Sequence, residues 1–304
     1  MKVGSYTGNV TARQITGIGF QPDFLLVIPS NASASLIKDR IGQDIQSQTW
    51  SGTEETGGTM IRGLIPDGFT VSSATGANNT SVTYHYVAFK GANNVMGIGE
   101  YMGTGSNRSV VDTQQMDFTP KFVWIRPKAT IGQCFHSSEI HGSTETQQFS
   151  SIALTASGNL TGLLANGFGL GVNSGVNQNG TGYRYLALTN QLPRTAFKSG
   201  TYTGTGAEQT INGVGFAPDL LWIKSTTTTA GSESPALYVS TFPSGQSKRT
   251  NAFALTTDII TSTHSDGFTV GTNAGVSELG DTFQYVAFKA GSYNIPVIRD
   301  DVSY

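Results

Sequence analysis

A single cysteine, Cys134, is all that the 304-residue chain contains, so no disulfide can form within it. Stability must therefore come from packing or from contacts in an oligomer. Charge is also scarce: 12% of the residues are charged, the net charge is −2, and the pI is about 6.1. Such a chain lacks the basic surface that binds phosphate backbones, which argues against nucleic acid as a partner.

Long apolar runs are absent as well. No window approaches 18 apolar residues, which predicts no transmembrane helix and no membrane partner. The start, MKVGSYTGNV, does not have the pattern of a secretory signal, so we expect synthesis in a cytoplasm. No stretch of ten residues has helical periodicity, and a short turn in ASLIKDRIG (34–42) is the most helix that we predict.

The chain contains a ten-residue motif that occurs three times, which we call the repeated phrase. It reads GFQPDFLLVI (19–28), DFTPKFVWIR (117–126) and GFAPDLLWIK (215–224). The prolines at 22, 120 and 218 are spaced by 120 − 22 = 98 and 218 − 120 = 98 residues. An equal period of this length predicts three copies of a domain-sized unit.

Three further elements recur in the same order around each phrase. They are GSYTGN, GEYMGTG and GTYTGTG before it, then DGFTVSS, NGFGLGV and DGFTVGT, and finally YHYVAFKG, YRYLALTN and FQYVAFKAG. The middles vary in sequence and length, as loops on one face of a scaffold do. The predicted units are 1–91, 97–190 and 196–291, followed by a C-terminal tail, 292–304, that could pair as an edge strand.

Within each unit the patterns are those of strands. YHYVAFK alternates with period two, whereas FLLVI and LLWIK are apolar on both faces, as in buried strands. With 38 glycines and many Ser, Thr and Asn residues at turns, the chain predicts an all-β protein. We expect three tandem β-sandwich domains, jelly-roll-like or otherwise Greek-key, joined by short linkers. Trp124 and Trp222, inside the repeated phrase, are predicted core residues.

Two short patterns predict turns. The Gly-rich segments YTGN, YMGTG and YTGTG are typical of hairpins. The DGF-type triplet is turn chemistry, and Asn166 stands in the second unit where Asp67 and Asp266 stand in the others. That exchange suits a turn residue better than a catalytic carboxylate.

Few residues suggest chemistry. Cys134, His136 and His141 form C-x-H-x4-H, which lacks the further ligands of a metal site. His85 and His264 have no matching histidine in the other units and are predicted to lie at the surface. Trp50, in a polar loop, could stack on a sugar or anchor a protein contact. We therefore predict no catalytic, metal or cofactor residues, and name Trp50, His136 and His141 as candidate partner contacts.

Together the repeated elements resemble a recurrent module of tailed-bacteriophage virion proteins, tail-fibre-like or head-decoration-like. The second unit departs from the pattern, with Lys121 in place of the aspartate and QQMDF in place of G-x-G-F. The residues that carry the resemblance are Tyr6, Gly8, Asn9, Ile15, Gly17, Gly19, Phe20, Pro22 and Asp23 in the first unit, and Tyr202, Gly204, Ile211, Gly213, Gly215, Phe216, Pro218 and Asp219 in the third.

The resemblance implies a non-enzymatic virion structural protein whose partners are major capsid or tail proteins. Three copies suggest either a monomer with a pseudo-threefold arrangement or a homotrimer that projects from the particle. A capsid decoration or head-surface role is the first hypothesis. A tail- or fibre-associated protein that binds a host surface glycan or receptor is the alternative, and an enzyme that degrades surface polysaccharide is a third.

Overall fold

The computed structural model is all-β, with three four-residue helices in the part that it describes. No helix in that part has the length and apolar character to cross a bilayer. The residues described are 1–42, 47–49, 54–55, 60–91, 94–128, 135–138, 146–148, 154–155, 158–189, 197–226, 234–250 and 253–291.

Strands of similar length recur in the same order in each repeat. The first repeat contains β1 (Lys2–Thr7), β2 (Arg13–Ile15), β3 (Phe24–Pro29), β4 (Leu36–Asp39), β5 (Ser47–Thr49), β6 (Glu54–Glu55), β7 (Ile61–Ile65), β8 (Gly68–Val71), α1 (Thr75–Asn78) and β9 (Thr83–Phe89). The second contains β10 (Met96–Met102), β11 (Arg108–Val111), β12 (Phe122–Pro127), β13 (Phe135–Ser138), β14 (Thr146–Gln148), β15 (Leu154–Thr155), β16 (Leu160–Leu164), β17 (Gly167–Leu170), α2 (Ser174–Asn177) and β18 (Gly182–Leu188). The third contains β19 (Phe197–Thr203), β20 (Gln209–Ile211), β21 (Leu220–Ser225), β22 (Ala236–Val239), β23 (Lys248–Arg249), β24 (Ile260–His264), β25 (Gly267–Val270), α3 (Ala274–Ser277) and β26 (Thr282–Phe288).

Each repeat forms one large and one small antiparallel sheet. The large sheets have the strand orders β1-β9-β3-β4-β5-β6, β10-β18-β12-β13-β14-β15 and β19-β26-β21-β22-β23. The small sheets have the orders β2-β8-β7, β11-β17-β16 and β20-β25-β24. The predicted turn in 34–42 is wrong, because Leu36 to Asp39 form β4 and pair with β3.

The repeated phrase forms the central strand of each large sheet, and both of its faces are buried. In β3, Leu25 and Val27 pack in a cluster with Phe69 and Val71 of the small sheet. The alternate residues of β3 join a second cluster, to which all three repeats contribute. This explains why the phrase is apolar on both faces, since strand side chains alternate sides.

The shared cluster is the central core of the molecule. Trp124 and Trp222, 3% and 2% exposed, lie in it, which confirms them as core residues. Aromatic contacts link the repeats in turn, with ring centroids 5.3 Å apart for Phe24 and Trp124 and 5.2 Å apart for Phe122 and Trp222. A third contact, Phe89 with Phe288 at 5.6 Å, joins the first repeat to the third.

The Gly-rich segments do not form hairpins, so that prediction is wrong. β1 belongs to the large sheet and β2 to the small sheet, and the chain crosses between the two sheets at Gly8. The buried side chain of Asn78 holds the crossing: its amide donates to the carbonyls of Thr11 and Ser72, and its oxygen accepts from the N–H of Asn9. A side-chain amide replaces the cross-strand pairing of a hairpin here.

The DGF-type turn is tied to the G-x-G-F entry of the phrase. Asp67 accepts hydrogen bonds from the N–H groups of Gly17 (2.9 Å) and Gly19 (2.6 Å). Asp266 accepts in the same way from Gly213 (3.0 Å) and Gly215 (2.8 Å). These bonds hold the pKa of both exposed carboxyls below the usual value. In the second repeat both partners change together, because Asn166 replaces the aspartate where QQMDF replaces the glycines.

Candidate functional site

The residues singled out from the sequence as partner contacts fall largely outside the described part. Trp50, Cys134 and His141 lie outside the described residues. His136 is on β13, paired with Trp124, but its side chain is outside the description. Among the described residues, no group of three or more His, Cys, Asp or Glu side chains could hold a metal ion.

The most distinctive chemistry lies where the repeats meet. The last strand of each repeat, β9, β18 or β26, contributes Val87, Leu186 or Val286 to the central core. In each of these strands the residue two positions earlier is polar and buried. Alternation places these polar residues on the same inward face. They are His85, Arg184 and Gln284, which are 2%, 3% and 6% exposed. The same structural position therefore holds a different polar side chain in each repeat. The sequence signal for it was a polar residue among the otherwise apolar, inward-facing residues of the strand.

Charged groups join the first repeat to the second. Nη2 of Arg126 lies 2.5 Å from Oδ2 of Asp39, and Nη1 of Arg184 lies 3.8 Å from Oδ1. Arg184 also donates from Nε to Glu100 at 2.9 Å. Burial by itself raises the pKa of Asp39, but the two guanidinium groups and the N–H of Gly42 outweigh it and hold the pKa below its usual value. Asp39 is therefore ionised at neutral pH.

A buried lysine joins the third repeat to the first. Nζ of Lys248, on β23, donates to the carbonyl oxygens of Pro29 (2.6 Å), Asn31 (2.7 Å) and Ser33 (3.1 Å). Burial lowers the pKa of Lys248 to about 8, which still leaves the amine mostly protonated at neutral pH. All three of its hydrogens can then be donated at once.

His85 contributes to the same interface. Its Nδ1 lies 2.9 Å from Oγ1 of Thr241, and its ring meets the edge of Phe242 with centroids 4.7 Å apart. Burial, followed by the nearby charge of Lys248, lowers the pKa of His85 to about 4. The prediction that His85 lies at the surface is therefore wrong, because the third repeat covers it. His264 is half-buried and its Nδ1 accepts from the N–H of Asp266 at 3.4 Å.

The second and third repeats meet through aromatic rings and the middle of the core. Phe122 lies 6.3 Å from Phe197 and 6.5 Å from Phe288, measured between ring centroids. Lys224, at the β21 position that corresponds to Arg126, is 2% exposed, and burial lowers its pKa to about 7. The three interfaces are therefore chemically different, although the strands that form them correspond.

A cleft with a volume of about 520 Å³ opens between the first and third repeats, and we call it the 1–3 cleft. Its first-repeat wall is formed by Ser5, Ser30, Thr83 and His85. Its third-repeat wall is formed by Thr241, Pro243, Gln246 and Leu255. The backbone of Leu255 donates to the carbonyl of Ser30 at 3.0 Å, which joins the two walls.

Comparison with known protein families gives a match over the third repeat. No curated protein matches the chain. Residues 193–293, which include all of β19 to β26, match the model of one family, described as a domain of unknown function (DUF7483).

Proposed function

We propose that the protein is a non-enzymatic structural component of a bacteriophage particle, a capsid decoration or head-surface protein. The observation that carries the proposal is the central core, in which strands of all three repeats bury one face each. A chain of this kind presents three related outer surfaces from one body. Such a body fits a local threefold position of a capsid lattice, where three neighbouring subunits offer similar contacts.

The domain arrangement that goes with this role is three tandem β-sandwiches around a pseudo-threefold axis. In each repeat, side chains of the large and small sheets form one cluster, as the facing sheets of a sandwich do. The ring contacts that link the first repeat to the second, the second to the third and the third to the first support a closed arrangement. Because these inward faces are covered within one chain, the monomer is favoured over the homotrimer.

The buried charges support a rigid role. Asp39 and Arg126 form a buried ion pair with each other, and Lys248 donates to three carbonyls. If one repeat slid against another, these charged groups would lose their partners. A rigid body suits a protein that stabilises a particle by burying surface between capsomers. The resemblance of the repeated elements to virion modules supports the same location.

Electron cryomicroscopy of the assembled particle tests the proposal directly. We expect density for this chain at repeated sites across the head, and particles without it should lose resistance to heat and osmotic shock. Density confined to the tail tip, or unchanged resistance in particles that lack the chain, would contradict a decoration role.

The alternative, a tail- or fibre-associated protein that binds a host glycan or receptor through Trp50, His136 and His141, depends on side chains outside the described residues. It stays a prediction of the sequence. Phage adsorption measured with Trp50→Ala tests it, and unchanged adsorption would count against it.

A further inference from the structure

We infer that the 1–3 cleft is a binding site for a neutral saccharide. This inference does not depend on the position of the protein in a particle, because it rests on the chemistry of the cleft alone. At about 520 Å³, the cleft lies within the range of small-molecule sites, which is roughly 300–1,000 Å³.

The walls of the cleft offer many hydrogen-bonding groups that carry no charge. Within the part of the chain that the structure describes, the hydroxyls of Ser5, Ser30 and Thr83 make no hydrogen bond to protein. Gln246 adds a carboxamide, which both donates and accepts. A ligand with several hydroxyl groups matches such a surface better than an apolar ligand does, because each of its hydroxyls can find a partner.

Apolar surface is also present, on the third-repeat wall. Pro243 is exposed and Leu255 is half-buried, and both line the cleft. The C–H face of a sugar ring can pack on such side chains while its hydroxyls bond to the opposite wall. Hydroxyls on one wall and aliphatic carbon on the other therefore match the two kinds of surface of a pyranose.

Charge separates neutral saccharides from acidic ones. Among the described residues that line the cleft, none carries a carboxylate, ammonium or guanidinium group. The one titratable side chain among them is His85, whose pKa of about 4 keeps the imidazole neutral at neutral pH. Lys248 lies close enough to act on His85, but its amine donates to the three carbonyls of the first repeat. With no cation among these described lining residues to pair with, a uronate or a sulfate would lose hydration without compensation.

Contacts between the two repeats preform the cleft. Nδ1 of His85, on the first-repeat wall, lies 2.9 Å from Oγ1 of Thr241 on the third-repeat wall. The walls are already held in place by Lys248 and by the Leu255 to Ser30 hydrogen bond, so little ordering is needed on binding.

The test uses the purified full chain on an array of neutral and acidic glycans, and titration calorimetry with the free form of each glycan that binds. We expect binding to neutral glycans alone. Ser5→Trp, which fills the cleft from an exposed position, should weaken binding at least tenfold, and Gln246→Ala should weaken it severalfold. Thr201→Trp is the matched control, because Thr201 is exposed and takes the place of Ser5 in the third repeat.

Gln114→Ala, at an exposed glutamine of the second repeat, is the control for Gln246→Ala. Both controls should bind as the unchanged protein does. If no neutral glycan binds at millimolar concentration, if acidic glycans bind as well as neutral ones, or if Ser5→Trp and Gln246→Ala leave binding unchanged, the inference is wrong. None of these outcomes bears on where the protein lies in a particle.

Discussion

Asp39 and Arg126 form an ion pair at 2.5 Å, although they are 87 residues apart in the chain and belong to different repeats. Their side chains are 3% and 4% exposed. Asp39→Asn keeps the shape of the side chain but removes the carboxylate that pairs with the buried Arg126 guanidinium and lies 3.8 Å from Arg184. We expect the free energy of unfolding to fall by about 3–5 kcal/mol, as for other broken buried pairs. Equilibrium denaturation with urea measures it.

The control is a more exposed pair of the same kind. Lys128 and Glu100 lie 2.7 Å apart with side chains 30% and 32% exposed. Lys128→Met should cost less than about 1 kcal/mol, because water already solvates much of this pair. Similar losses for Asp39→Asn and Lys128→Met would show that the buried pair is no more important than the exposed one.

Lys248→Met should loosen the contact between the first and third repeats. The substitution keeps much of the aliphatic chain but removes three hydrogen bonds to the carbonyls of Pro29, Asn31 and Ser33. We expect a loss of about 3 kcal/mol, from three hydrogen bonds of a charged donor to buried or partly buried carbonyls. Amide hydrogen exchange should quicken in 24–33 and 236–250. Lys90→Met, at an exposed lysine, is the control and should leave exchange in these segments unchanged.

His85 should make stability fall on mild acidification. Its pKa is about 4 in the folded protein, and about 6.5 is usual for the unfolded chain. Between these values the unfolded state binds a proton that the folded state does not, so stability is full above about pH 6.5 and declines as pH falls toward 4. The contribution lost is about 3 kcal/mol, from roughly 1.4 kcal/mol per pKa unit.

The variant that isolates this effect is His85→Gln, which places in the first repeat the residue found at Gln284 in the third. We expect the difference in unfolding free energy between pH 7 and pH 4.5 to be about 2–3 kcal/mol smaller in His85→Gln. Other groups titrate equally in both proteins and cancel in the comparison. An identical pH dependence would mean that His85 is not buried in its neutral form.

Val10→Gly should stabilise the protein. Val10 has φ of 54°, which is unfavourable for a β-branched residue, and its N–H donates to the carbonyl of Asn78. Gly105 and Gly206 make the matching bonds in the other repeats, with φ of 70° and 72°. Relief of the left-handed strain should add about 1 kcal/mol to the free energy of unfolding.

Gly206→Val is the reciprocal change and should cost a similar amount or more. A Cβ at Gly206 would meet Cβ of Leu279 at an ordinary 3.6 Å, so backbone strain rather than a clash would cause the loss. Thermal unfolding of both variants against the unchanged protein provides the measurement. A destabilised Val10→Gly together with a neutral Gly206→Val would contradict the assignment of strain to Val10.

Much of the fold follows from short-range patterns. Strand β3 could be predicted because its apolar residues are contiguous, and the burial of Trp124 and Trp222 followed from their place in the repeated phrase. The turn at Asp67 was predicted from local chemistry. The sequence did not show that the Asp67 carboxylate binds the glycine N–H groups of the G-x-G-F entry. About 50 residues separate these groups, and folding brings them together.

The interfaces could not be predicted, because a polar residue on an inward face gives no sign of what lies opposite. His85 sits in a strand that alternates like any half-exposed strand, and the segment with Thr241 and Phe242, more than 150 residues later, packs against it. Lys248 binds carbonyls 215 to 219 residues away. Such contacts depend on how three units dock, which local periodicity does not record.

The difference between His85, Arg184 and Gln284 at one corresponding position also has a consequence for how such a protein can evolve. In a ring of three identical chains, one substitution alters every junction at once, and a change that harms any junction harms all of them. When the three units belong to one chain, the residues at one contact between repeats can change while the other two contacts keep the repeats together. The 1–3 cleft, which lies between the first and third repeats, can therefore change without altering the other two junctions.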